Sequence, residues 1–422
     1  MKFGFKFSKI VRQMWFLPAV FSLVAIATAS AARYSAFLLP EELPLEVSQN
    51  AIETILTIVA TSMLTVATFA LATMVSAFFG AAQGTTPRAV RLIAEDRAAQ
   101  APISIFIGSF LFSIVGIIAL SSGFYSASGR LILFGATILV VGLLVGALIR
   151  WINKIPSIGQ VGETIKRMET ATSGAFDEIA RRPLLGCLKT TAAAEKGVPL
   201  HASRIGYVQH VQPDELQSIA EECDLLIHIS ARPGVYVTAI RPLVLVDGVV
   251  TDAVAEKIRA AFILGRDRTF DHDPRFGLIV LGEIASRALS PGINDPGTAI
   301  NVIQTHVRIL TDWFNGEADA NHDCEHDRVS IVPILPEQIL HDAFRAIARD
   351  GADNVEVCLK LFEALEAIHA VAPCRFDAPI AHFAEDALER VRGAMSHQRD
   401  LRVVEAAAEW LHGRRGLHDP EP

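Results

Sequence analysis

Five residues near the middle of the second half of the chain have side chains suited to binding chemistry: Arg275, Glu283, Arg287, Asn294 and Asp295. They lie on and around two runs, Asp271-His272-Asp273-Pro274-Arg275-Phe276 and Ser290-Pro291-Gly292-Ile293-Asn294-Asp295-Pro296. Guanidinium groups beside a helix N-terminus suit a phosphate or carboxylate, because fixed N–H donors and the helix dipole both favour an anion. On that reading the five residues form a pocket for a small anionic ligand or a neighbouring subunit. The same residues also have a purely structural reading. Each Asp-Pro pair opens a helix: the carboxylate caps free N–H groups, and proline takes the first helical position, where no N–H is needed. Ser290-Pro291-Gly292 stops the helix before it. Glu283 and Arg287, four apart in the favourable order, make a helix ion pair.

A second pattern is a stripe of hydroxyls. Thr54, Thr57, Thr61, Thr65, Thr68, Ala72 and Ser76 fall within about a third of a helix circumference at ~100° per residue. In an otherwise apolar helix such a stripe either lines an aqueous path, with Thr57, Thr61, Thr65, Thr68 and Ser76 as its lining, or bonds neighbouring helices and its own i−4 carbonyls. Glu46 and Glu53 before it, and Arg88 and Arg91 after it, place charge at both mouths of such a path.

The run His322-Asp323-Cys324-Glu325-His326-Asp327 has the residue types of a zinc site. One short run rarely closes a tetrahedral shell, and no second Cys/His pair stands at finger spacing. The expectation is a solvated loop, with no metal and no cofactor. The chain has no Gly-rich phosphate loop, Gly-x-Ser-x-Gly, His-Glu-x-x-His or dinucleotide fingerprint, so no motif points to catalysis and a membrane-bound enzyme ranks third among the readings.

The elements that position these residues begin in lipid. Four apolar stretches, residues 15–32, 52–79, 102–120 and 131–149, approach or exceed the ~20 helical residues that cross a bilayer core. Only helix can carry such a stretch through hydrocarbon, where backbone groups find no water. No charged residue lies in their interior, which disfavours proton- or ion-coupled transport. The first stretch also resembles a signal peptide, with basic residues ahead of it and Ala27-Thr28-Ala29 within it. Its spanning length favours a retained helix. Lys2, Lys6, Lys9, Arg12, Arg88, Arg91, Arg97, Arg150 and Lys154 flank one side of the four stretches, and only Arg33 and Arg130 flank the other. Both termini are therefore expected on the cytoplasmic side. Trp15, Phe79, Phe124, Tyr125 and Trp151 stand where interfacial anchors belong. Before the first stretch, Phe3 to Met14 reads as a short interfacial helix. Gly135, Gly142 and Gly146 leave a strip of the fourth stretch open to close packing, within one subunit or between subunits.

Residues 1–155 hold 11 basic and 6 acidic side chains; the remainder holds 27 and 40. The acidic remainder argues against nucleic acid as a partner. Its five scattered cysteines read as reduced thiols in the cytosol. A stalk helix is expected over 156–183, with Val161, Ile165, Met168, Thr172, Ala175 and Ile179 as a heptad seam that packs on its own soluble part or on another copy. A small α+β domain follows over 184–265: strands at 204–211, 225–230 and 235–246, helices at 213–222 and 251–264. Residues 266–422 read as a helical domain, with helices at 273–290, 295–315, 336–350, 353–371, 378–394 and 399–413 and a polar loop at 316–328.

The run Asp271 to Phe276, followed by Ala285-Ser286-Arg287-Ala288-Leu289-Ser290-Pro291-Gly292-Ile293-Asn294-Asp295-Pro296-Gly297-Thr298-Ala299, resembles the bacterial predicted membrane proteins of the domain-of-unknown-function 2254 family. The resemblance covers nearly the whole chain, four N-terminal spans included. It implies the membrane architecture and brings no reaction or ligand. The fold expected is an α-helical integral membrane bundle of four transmembrane helices, followed by a cytosolic α+β and mostly helical region. The leading functional expectation is a homo-oligomeric pore or transport-related protein of the bacterial inner membrane, in contact with the lipid bilayer and gated or assembled by its cytosolic part. The alternative is an anchored sensor or scaffold that binds a small ligand or a protein.

Overall fold

The computed structural model describes residue 13 and residues 15–35, 48–94, 97–157, 159–190, 197–318 and 324–410. Most of the expected interfacial helix, together with Glu46, His322 and Asp323, lies outside them. The chain forms two compact units, Met1–Glu163 and Thr164–Pro422.

The described residues of the first unit form helices α1 (Phe16–Ser35), α2 (Gln49–Gly84), α3 (Pro87–Ala94), α4 (Arg97–Ser121) and α5 (Ala127–Lys154). Three stretches, Gln49–Gly84, Ala99–Ser121 and Ser128–Ser157, are long and apolar enough to cross a membrane; Phe16–Ala31 is a shorter apolar helix. The 36 residues of α2 rise about 54 Å, well beyond the ~30 Å of a hydrocarbon core. Helix α4 is the centre of the bundle and packs along α1, α2 and α5. Its small residues make this possible. Gly108 lies against the backbone of Phe21, and Gly116 lies against Leu56. Ser104, Ser109 and Ser113 are buried beside them. In helices that pack without a hydrophobic drive, small side chains of this kind let backbones approach.

Two of the expected interfacial anchors are core residues. Tyr125 is buried and donates its hydroxyl to the carbonyl of Ala29 at 2.6 Å. Trp151 is buried in the cluster of Met74, Ile103, Phe106 and Leu144. Trp15, Phe79 and Phe124 are exposed.

In the second unit, α6 (Val161–Arg181) leads into a five-stranded sheet and a three-stranded sheet. The strands are β1 (Cys187–Lys189), β2 (Val198–Leu200), β3 (Gly206–Val211), β4 (Leu226–Ile229), β5 (Tyr236–Val237), β6 (Val244–Asp247), β7 (Phe262–Gly265) and β8 (His326–Ile331). The larger sheet runs β1-β8-β4-β6-β2, with β8 parallel to both of its neighbours; the smaller runs β5-β3-β7 and is antiparallel. Helices α7 (Pro213–Cys223) and α8 (Asp252–Ala260) belong to this part. Helices α9 (Pro274–Ala288), α10 (Pro296–Ala318), α11 (Pro336–Asp350), α12 (Val355–Val371), α13 (Pro373–Ala394) and α14 (Gln398–Ala407) build the rest.

Three differences from the sequence expectation have physical causes. The strand expected over 235–246 is two strands in two sheets, since Pro242 lacks the N–H a continuous ladder needs. The helix expected to reach Leu264 stops at Ala260, and Phe262–Gly265 turns back as β7 to pair with β3. His326–Ile331, expected as the end of a loop and its exit, is β8, and its pairing partners are distant in sequence. The heptad seam of α6 is buried from Ile165 to Ala175 inside this unit, with Phe176 stacked on Trp313 at 4.8 Å.

Candidate functional site

The Asp271–Phe276 run works as a joint. Asp273 is 3% exposed. Its carboxylate accepts from both arms of Arg268, at 2.6 and 2.9 Å, and from the N–H of Phe276 at 3.3 Å, which caps α9. Burial pushes the Asp273 carboxyl up, and the Arg268 guanidinium opposes that shift. Gly234, at φ +89°, leaves no room for a side chain because the Asp273 carboxylate fills the space. Gly277, one turn into α9, lies equally close to the side chain of Thr172 on α6. His272 Nδ1 is 3.0 Å from Glu178 Oε2 on α6, and its ring stacks on His210 of β3 at 4.5 Å. That contact to His272 chiefly holds the Glu178 carboxyl below its usual range. Burial, helped by His272, pushes His210 down to about 4.

The five residues expected to form one pocket are distributed along α9 and the start of α10. Arg275 reaches across to α11, donating to Asp342 at 2.5 Å and to Gln338 at 3.0 Å. Arg287 is twelve residues further along the same helix, about 18 Å at 1.5 Å per residue, and is exposed. Glu283 is half-buried. Asn294 is exposed and adopts φ +51°, a conformation asparagine tolerates better than most residues. Asp295 is exposed and caps α10: it accepts from Thr298 N at 3.1 Å and from Thr298 Oγ1 at 2.6 Å, which lowers its carboxyl below the usual range. The structure thus brings Asn294 and Asp295 together in a tight turn and leaves Arg275 elsewhere. The capping role was legible from the Asp-Pro pairs. The partners Arg268, Asp342 and Glu178 carry no local signal.

The hydroxyl stripe is the second candidate. Thr57, Thr61, Thr65, Thr68 and Ser76 are all exposed, while Ile52, Leu56, Val59, Ala67, Ala70 and Met74 bury the opposite side of α2. Each of three hydroxyls bonds back to its own helix: Thr61 to Thr57 O at 2.9 Å, Thr65 to Thr61 O at 3.1 Å and Thr68 to Leu64 O at 3.0 Å. Among the described residues, packing within the unit is therefore not the use of this face. The glycine strip of α5 behaves alike: a carbon added at Gly135, Gly142 or Gly146 would meet open space.

Residues 11–367 match the family described as "Predicted membrane protein (DUF2254)". The chain belongs to this family. As a family member it is a predicted membrane protein, in keeping with its three long apolar helices. It is also similar to uncharacterized proteins of Mycobacterium bovis and of two strains of Mycobacterium tuberculosis. Each is 27% identical over 313 residues, which cover 68% of this chain and 58% of the relative. This chain thus spans less than two thirds of those relatives' length. No solved structure matches.

Proposed function

We propose that this family member crosses the bacterial inner membrane four times, with both termini at the cytoplasmic face. Copies of it then assemble so that the hydroxyl face of α2 lines a polar path between them, and the second unit assembles or gates that path. The exposed stripe carries the reading: five hydroxyl side chains stand in line on a long, mostly apolar helix, and no described part of the unit covers them. The bare glycine backbone of α5 supports it, as a surface that a second copy can approach closely. The 20 residues of α1 rise about 30 Å, the thickness of a hydrocarbon core, which supports a fourth span. The Lys/Arg asymmetry of the short connections supports the orientation.

One observation favours the other reading, an anchored sensor or scaffold whose second unit binds a small ligand or protein. The α6 seam is occupied inside its own unit, so that oligomer contact is not open to a partner. Planar-bilayer recording on purified full-length chain separates the two. The path reading predicts a conductance that Thr61→Leu and Thr65→Leu reduce. A silent bilayer, with a single subunit per detergent particle, leaves the sensor reading standing and removes the path.

A further inference from the structure

Asp214 in the first turn of α7, with Glu325 and His326 at the start of β8, turn lone-pair atoms toward one point in the second unit. A carboxylate oxygen from each acid and a nitrogen of the imidazole lie within 4.8 Å of one another. Asp214 Oδ1 and His326 Nε2 are 3.3 Å apart. That is close to the ~3.4 Å edge of a tetrahedron with arms of about 2.1 Å, the length zinc makes to oxygen and nitrogen ligands. A cation already holds the centre. Arg182 Nη2 stands 2.6 Å from Glu325 Oε2, 3.0 Å from Asp214 Oδ1 and 2.8 Å from His326 Nε2.

These contacts place the His326 Nε2 edge, and not its Nδ1 edge, toward Asp214, Glu325 and the Arg182 guanidinium. His326 is 5% exposed and its Nδ1 finds no partner, so the ring is held by packing and is already turned for ligation. The two carboxylates are more accessible. The Glu325 side chain is 52% exposed and can swing inward. Asp214 also lines an open groove of about 390 Å³, with Glu215, Ser218, Glu222 and Lys257. Three carboxylates against one ammonium give that groove a field that draws in divalent cations.

We propose that Asp214, Glu325 and His326 form a zinc site, with solvent as fourth ligand, and that the Arg182 guanidinium is its built-in competitor, filling it when no metal is bound. An imidazole with two carboxylates at a tetrahedral edge suits zinc better than magnesium or calcium, which favour all-oxygen shells. Arg182 immediately follows α6, so its expulsion releases a tie between that helix and the β8 and α7 segments. The proposal revises the sequence expectation of a solvated, metal-free 322–327 loop, because β8 begins at His326, the Glu325 N–H is held by Gly186 O, and Asp214 stands beside both side chains. It does not depend on the path reading of α2.

Zn²⁺ titrated into the detergent-solubilised full-length chain, in competition with a chromophoric chelator, tests it. One zinc per chain is expected, with affinity falling about tenfold or more in Asp214→Asn and His326→Ala. Arg182→Gln should bind about tenfold more tightly than the parent, since the competitor is gone. That gain is decisive because a misfolded variant does not produce it. The proposal is overturned if neither the parent chain nor Arg182→Gln takes up zinc, if uptake is indifferent to Asp214→Asn and His326→Ala, or if Arg182→Gln binds no more tightly than the parent.

Discussion

In the second unit Asp273 is 3% exposed and gripped by both arms of Arg268, whereas in the first unit Thr61, Thr65 and Thr68 stand exposed along α2. The second unit turns two carboxylates inward and matches each with a guanidinium: Asp273 with Arg268 and Asp342 with Arg275. Buried charge is tolerable only when paired in this way. The first unit buries Ser104, Gly108, Ser109, Ser113 and Gly116 of α4 but turns the α2 threonine stripe and the α5 glycines Gly135, Gly142 and Gly146 outward. Its core around α4 joins small and aliphatic side chains to Phe106, Phe112, Tyr125 and Trp151, and the hydroxyls of Thr61, Thr65 and Thr68 bond to carbonyls of their own helix. On the path reading, the first unit offers that exposed stripe to water or to a neighbouring copy.

Four tests, one of them read through its pH dependence, probe the contrast. Asp273→Ala should be the most damaging, because it strands a half-buried guanidinium and uncaps α9; a loss of about 3–5 kcal/mol is expected, seen as a lower melting temperature or lost yield. Gly277→Val should come next. The new side chain collides with Thr172, at a cost of about 1–3 kcal/mol typical of overpacking, and Thr172→Ala in the same chain should restore part of it. A double-mutant cycle that shows no coupling would break the proposed contact.

The third prediction concerns pH. His306 is fully buried on α10, edge-on to Phe344 at 5.3 Å, and burial pushes it down from 6.5 to about 3. The folded chain therefore refuses a proton that the unfolded chain accepts below about 6.5. Stability from this residue is complete above that pH and declines as pH falls toward 3, by about 1.4 kcal/mol per unit at most. Melting temperature should drop between pH 7 and pH 5.5, and His306→Leu should flatten the slope. A parallel slope in the variant would contradict this. The smallest effect belongs to Gly142→Ala on α5, whose new methyl meets open space. The melt should stay within about 0.5 kcal/mol of the parent, while chemical cross-linking between copies weakens.

Much of the helical framework was legible from caps and periodicity. Pro274, Pro296 and Pro336 each open a helix, and their fixed φ makes that local and readable. The sequence spacing of Gly142 and Gly146 pointed to a packing strip, yet the glycines that carry the bundle are Gly108 and Gly116 on α4. Which small-residue face is buried depends on the order of helices in space, and local pattern does not encode it. Strand β8 was hidden for a related reason. His326-Asp327-Arg328 reads as polar loop, and its place between β1 and β4 is set by pairing with Cys187–Lys189 and Ile227–Ile229, far away in the sequence. The joint at Asp273 was half legible: the cap was visible, whereas Arg268 gives no periodic signal and becomes its partner only through the turn between them.

The most direct test of the central claim is thiol accessibility along α2. Single cysteines at Thr57, Thr61, Thr65 and Thr68, and at Leu139 of α5, which is 71% exposed and apolar, would be treated with a membrane-impermeant maleimide on intact cells. The parent chain with its native cysteines serves as the blank. The account predicts labelling at the α2 positions and none at Leu139. Protection of all four α2 positions, equal to that of Leu139, would contradict it.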